Sequence, residues 1–125
     1  MYSQTLWAHA RNPKNRGRLP EASAVGRSRY AKCGDDFTLY LLIDAERIVG
    51  ASFEARACAP VVAVGSAGTC MLHGLTPTEA RKLSVFQLDE AVGQLPGPKR
   101  HAIWMFLEAM HLALDAWSGQ ENFSV

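Results

Sequence analysis

Cysteine is scarce, with three in 125 residues. A small secreted scaffold stapled by disulfides needs a denser, even set, so free thiols in a reducing cytoplasm are the expectation. Long hydrophobic runs are missing too. No stretch approaches the roughly 20 apolar residues of a membrane-spanning helix. The opening MYSQTLWAHARNPKN holds no apolar core of a secretory signal. A membrane is therefore not an expected partner. Excess charge is also absent: the net charge is +1, which gives no general attraction to nucleic acid. Internal repeats and low-complexity tracts are lacking. So is the Gly-x-Ser-x-Gly elbow of a serine hydrolase.

What is present reads as an ordinary folded chain. It is 48% hydrophobic and 20% charged, which excludes disorder. Its length predicts one domain over residues 1–125. The basic residues are uneven. Arg11, Lys14, Arg16, Arg18, Arg27, Arg29 and Lys32 all precede Cys33, against Glu21 alone. Such a run is either a solvated face or a dock for an acidic partner protein.

Periodicity places the elements. Residues 3–10 read as a short helix that ends at Asn12-Pro13, because the residue before proline disfavours the α region. Residues 25–32 and 36–44 read as strands. In the second, Phe37, Leu39, Leu41 and Ile43 share one apolar face. A turn over Asp44-Ala45-Glu46-Arg47 leads into a third strand, with Val49, Ala51, Phe53 and Ala55 expected on one face. After Cys58 the pattern becomes helical. Pro60 suits a first turn, and residues 61–72 are small and apolar. Gly65 and Gly68 there point to close packing on the sheet; the stretch lacks the lysine and spacing of a phosphate loop. Thr76-Pro77-Thr78-Glu79 is a capping box. A further short helix is expected over 85–92. Leu95-Pro96-Gly97-Pro98 is a rigid break. Residues 101–117 form the clearest helix, with Gly119 as its expected stop. Strands first and helices afterwards predict an α+β fold, an antiparallel three-stranded sheet with helices on one face.

Metal-competent side chains fall at the ends of these elements. Cys33 and Asp35 are two apart, and on an extended chain they project to one side, with Gly34 allowing a tight turn between them. Cys58 lies where a strand passes into a helix. There the helix dipole is expected to lower its pKa and favour thiolate; the alternative is a buried cysteine acting as a small hydrophobe. His101 opens the last helix, as a ligand or as a structural histidine. Two thiols, a carboxylate and an imidazole suit zinc or iron. Cys70 is excluded from that set. On one helix with Cys58 it would sit about 120° away in azimuth and about 18 Å along the axis, and it is expected in the core.

The chain resembles the scaffold family of IscU and the amino-terminal domain of NifU. The opening His9-Ala-Arg-Asn12-Pro13-Lys-Asn15-Arg-Gly17 is similar to the family's opening motif. Cys33-Gly34-Asp35 and Ala57-Cys58-Ala59 resemble its first two ligand motifs. Leu95-Pro96-Gly97-Pro98-Lys99-Arg100-His101 resembles its Leu-Pro-Pro-x-Lys-x-His-Cys segment. The resemblance implies that Cys33, Asp35, Cys58 and His101 occupy ligand positions for iron or a nascent iron–sulfur cluster of the 2Fe-2S type, with zinc as an occupant of purified protein. It implies a cysteine desulfurase as sulfur donor and apo iron–sulfur proteins as clients. It also implies an Hsp70-type chaperone at Leu95, Pro96 and Lys99. The family's third cysteine follows the histidine, and here that position is Ala102.

Three readings follow. One is a scaffold or carrier of iron–sulfur clusters, not an enzyme, completed by a partner's thiol or by a second copy in a homo-oligomer. Another is a degenerate paralogue that binds one zinc or iron ion or serves as an interaction module. The third is a thiol enzyme in which Cys58 and His101 pair as nucleophile and base; no further signature accompanies it.

Overall fold

The computed structural model describes residues 2–123, and side chains through 119. Helix α1 (Gln4–Arg11) starts at Ser3, whose hydroxyl accepts from the Leu6 N–H. This satisfies one of the donors that a helix start leaves open. Leu6 is the residue α1 buries. A loop then leads to three strands, β1 (Ala24–Tyr30), β2 (Asp35–Asp44) and β3 (Arg47–Arg56). They form an antiparallel sheet in the order β1-β2-β3. Along β2, buried Phe37, Leu39 and Leu41 alternate with half-buried neighbours. The turn to β3 has Ala45 at φ 50° and Glu46 at φ 63°. Both central residues are left-handed, the backbone that suits the twist of a two-residue hairpin.

Two expectations about faces and ends are corrected. Val49 is exposed, and Ile48 takes the core position. The cause is a bulge: Leu42 pairs with Gly50 but Ile43 pairs with Ile48, so Val49 is the extra residue. The last helix, α5 (His101–Phe123), runs past Gly119. A glycine stops a helix by turning left-handed, and Gly119 has no positive φ. Its intrinsic cost of about 1 kcal/mol does not break a helix by itself.

Helix α2 (Ala59–Leu72) packs on β3 and α5, with Val61 through Thr69 buried. Of the two glycines expected to pack on the sheet, Gly65 does so, whereas Gly68 instead packs against α5. A Cβ on Gly65 would lie 2.8 Å from Phe53, and one on Gly68 would lie 2.4 Å from Phe106. Helices α3 (Pro77–Arg81) and α4 (Val85–Ala91) each begin with a complete capping box, at Thr76 and Ser84. A 3-10 turn over Gly97–Lys99 then leads directly into α5. Gly26 of β1 marks the closest approach of sheet and α5, since a Cβ there would fall 1.9 Å from the Ala109 carbonyl oxygen. The helices therefore lie on one face, and Arg27, Arg29 and Glu54 stand exposed on the other.

The segment after α1 is held by a polar clamp. Ser66, fully buried on α2, has its hydroxyl 2.7 Å from His9 Nδ1 and accepts from the Lys14 N–H at 2.8 Å. The Asn15 amide donates to Thr69 Oγ1. The Phe53 N–H donates to the Asn15 carbonyl, and the Gly17 N–H donates to the Phe53 carbonyl. This ties residues 15–17 to the free edge of β3.

Candidate metal site

Four elements meet at one end of the sheet. The β1–β2 turn carries Cys33, the first residue of β2 is Asp35, the residue before α2 is Cys58, and the first residue of α5 is His101. One ligand atom each from Cys33, Asp35 and His101 lies within 4.8 Å of the other two. Cys58 Sγ is 3.6 Å from Asp35 Oδ2. Cys58 lies outside that three-residue group. A tetrahedral ion with ligands at about 2.0–2.3 Å needs donor atoms about 3.5 Å apart, so the 3.0 Å contact between His101 Nε2 and Asp35 Oδ2 would have to open. The donor chemistry fits zinc or iron.

Cys33 and Asp35 do not come together by strand alternation. The Cys33 N–H donates to the Tyr30 carbonyl and the Gly34 N–H to the Ala31 carbonyl, both at 3.2 Å. Gly34 is left-handed at φ 69°, where a Cβ would be costly. A tight turn, not an extended segment, therefore aims both side chains. It leaves Cys33 exposed while Asp35 is 3% exposed.

A buried carboxylate needs partners, and Asp35 has three. Oδ1 accepts from the Cys58 N–H at 3.3 Å. Oδ2 faces the Cys58 thiol and, at 3.0 Å, His101 Nε2. On its other side the His101 ring places Nδ1 3.3 Å from the Pro98 carbonyl. Both ring nitrogens thus face acceptors, Nδ1 the Pro98 carbonyl and Nε2 the Asp35 carboxylate; with Nδ1–H donating to the carbonyl, Nε2 is the nitrogen that would ligate an ion displacing its contact with Asp35. Metal-bound histidines are held in this way, with the second ring nitrogen donating to an outer acceptor. Tyr30 stacks on the same ring, centroids 4.3 Å apart and planes at 17°.

The expected lowering of the Cys58 pKa is overturned. Burial pushes the thiol above its ordinary value, and the Asp35 carboxylate beside it adds to the rise, against an opposing contact from the Val61 backbone. The positive end of α2 does not outweigh these two effects. In the metal-free protein Cys58 is therefore held as a thiol. Cys70 is also corrected: it is exposed, not packed in the core. It faces out beside the Asn15 amide at 3.7 Å. Of the chaperone-type segment, Leu95 is buried and its N–H donates to Asp89 Oδ1. Leu95 thus anchors the segment on the core, Pro96 and Lys99 are half-buried, and Gly97 and Pro98 are exposed. The seven basic residues ahead of Cys33 are all exposed, with Arg27 and Arg29 paired to Asp36. Tyr30 and the Pro98 carbonyl escape sequence reading, because only the turn and the 3-10 segment bring them against His101.

The family described as the NifU-like N terminal domain matches residues 1–123. The chain belongs to this family. It is 34% identical over 114 residues to the iron-sulfur cluster assembly scaffold protein IscU 1 of Archaeoglobus fulgidus, covering 91% of this chain and 74% of that one. It is 38% identical over 109 residues to the nitrogen fixation protein NifU of Cereibacter sphaeroides, covering 87% of this chain but 44% of that longer protein. Among solved structures it is similar to a putative iron-sulfur cluster assembly scaffold protein for the SUF system from Fervidobacterium islandicum. The TM-score is 0.73 and the identity 23%, over 90% of this chain and 96% of that one. That likeness speaks to the fold, which is the α+β arrangement of a three-stranded antiparallel sheet and helices. Among the described residues, no helix is long and apolar enough to cross a membrane.

Proposed function

We propose that the chain is an iron–sulfur cluster scaffold or carrier, and that Cys33, Asp35, Cys58 and His101 hold its cargo. What supports this reading is that Cys33, Asp35 and His101 offer ligand atoms within 4.8 Å of one another, with the Cys58 thiol 3.6 Å from Asp35, in a chain of the NifU-like family. The cargo is iron or a nascent cluster of the 2Fe-2S type, with zinc as an alternative occupant. Cys33 is open to solvent and receives the cargo, and the other three donors lie deeper. A cysteine desulfurase supplies sulfur, and apo-proteins take the product. The protein transfers cargo and catalyses no turnover of its own, in the cytoplasm. An Hsp70-type chaperone would meet the exposed Gly97-Pro98 stretch beside His101, with Pro96 and Lys99 at its margin. Anaerobic reconstitution with iron and sulfide, followed by absorbance and Mössbauer spectra, tests this. A cluster that survives desalting is expected; its absence with and without a desulfurase would sink the idea.

One observation favours a narrower reading. Ala102 is 1% exposed, so the position after His101 is a buried methyl and offers no third thiolate. Clusters are ordinarily held by several thiolates, whereas two thiolates, a carboxylate and an imidazole complete the shell of one tetrahedral ion. Elemental analysis separates the two readings. One zinc per chain without labile sulfide marks a single-ion protein.

A further inference from the structure

We propose that Tyr30 is a positioning residue for the metal site, holding the His101 ring so that Nε2 faces the cargo; this rests on the ligand reading above. Tyr30 acts on two ligands at once. Its backbone carbonyl accepts from the Cys33 N–H and so closes the turn that presents the thiol. Its side chain lies flat against the imidazole at 4.3 Å. Its place follows from the register: Tyr30 ends β1 and pairs with Asp35 across the turn. The last residue of the strand is thus set beside both the carboxylate and the histidine that meet there. The ring is partly buried against the core.

The physical effect is restraint. An imidazole on a helix start has two soft torsions, and ligation must freeze both. Here the Pro98 carbonyl fixes one ring edge and Tyr30 fixes one face. The remaining edge, Nε2, then has one orientation, toward Asp35 Oδ2. The stack uses the ring face and not the phenol oxygen, so phenylalanine should serve as well.

The test is a metal titration with Co(II) and Zn(II) on the reduced, metal-free protein, comparing the wild type with Tyr30→Phe and Tyr30→Ala. Changes in the groups that orient a ligating histidine typically cost 10–100-fold in metal affinity. Tyr30→Ala is expected to weaken Zn(II) binding by about 10-fold at 25 °C, and to weaken the visible bands that mark tetrahedral Co(II). Tyr30→Phe is expected to keep both affinity and spectrum. A double-mutant cycle supplies the decisive arm. In a His101→Ala background, Tyr30→Ala should weaken binding no further, because the residue acts through that ring. An equal loss in both backgrounds, or unchanged affinity in folded Tyr30→Ala, overturns the assignment. Thermal unfolding of each variant confirms that folded protein is compared. Failure of the wild type to bind either ion overturns the ligand reading and this one with it; normal binding by wild type and by Tyr30→Ala alike overturns the positioning role alone.

Discussion

Cys58 and Cys70 stand at opposite ends of α2, and their surroundings differ in every respect that matters for chemistry. Cys58 is half-buried, stands at the helix start without a side-chain cap, and shares Asp35 with His101. Cys70 is exposed in the last turn, with the Asn15 amide as its polar neighbour. Between them lies a stretch with no freedom to adjust: Gly65 and Gly68 leave room for aromatic rings, and Ser66 and Thr69 are fully satisfied polar residues. A rigid middle keeps the starting end registered against β2 and α5. The thiol that can do chemistry is the one beside a carboxylate and an imidazole, whichever is easier to reach from solvent.

The largest effect that can break this contrast comes from exchanging the thiols. Cys58→Ser is expected to lower Zn(II) affinity by more than about 100-fold, beyond the range of changes that merely reorient a ligand. Cys70→Ser should leave it unchanged. Competition titration with a chelating dye measures both, and equal losses would end the distinction between the two ends. Packing in the middle of α2 gives the next effect. Gly68→Ala forces a methyl into the buried Phe106 ring and should cost about 1–3 kcal/mol, read from the urea midpoint of the metal-free protein. Gly119→Ala, where a Cβ meets nothing within 4 Å, should stabilise by up to about 1 kcal/mol. If Gly68→Ala were equally benign, the close packing assigned to the helix would be wrong.

The smallest effect concerns protonation. Because burial raises the Cys58 pKa, its thiolate fraction at pH 8 falls below that of an ordinary thiol. Iodoacetamide, followed by mass spectrometry, should therefore label Cys58 more slowly than Cys70. The sign for stability follows from the same shift. A thiol whose folded pKa is raised favours the folded state below its unfolded value, about 8.5, and that contribution is lost as the pH rises through the folded value. Metal-free wild type should lose stability above about pH 8.5 more steeply than Cys58→Ala. Faster labelling at Cys58 than at Cys70 would show that the helix dipole wins after all.

Much of this molecule was legible in advance, for identifiable reasons. The apolar alternation of Phe37, Leu39 and Leu41 needs only a local period, and the Thr76 capping box is short-range chemistry; the matching box at Ser84 went unread. Val49 was misplaced because one extra residue inverts the faces of a strand, and the sequence carries no mark of the bulge. Gly119 was misread because a glycine ends a helix only if its backbone turns left-handed. Cys58 and Cys70 show the same limit from two sides. Helix position predicts a dipole, but not the burial and neighbouring carboxylate that oppose it, and a thiol in an apolar stretch is not thereby inside. The grouping of Cys33, Asp35, Cys58 and His101 followed from resemblance. Its support by Tyr30 and the Pro98 carbonyl depends on a turn and a strand register that only folding supplies.

Asp35 Oδ2 already faces the imidazole and the Cys58 thiol, while Oδ1 holds the helix start. These side chains are thus paired with one another before anything arrives. An ion arriving there would have to open contacts that re-form once it departs. On the proposed ligand reading, an ion held here would therefore leave with less penalty than one held by an array of bare ligands, a property suited to passing something on and ill suited to keeping it.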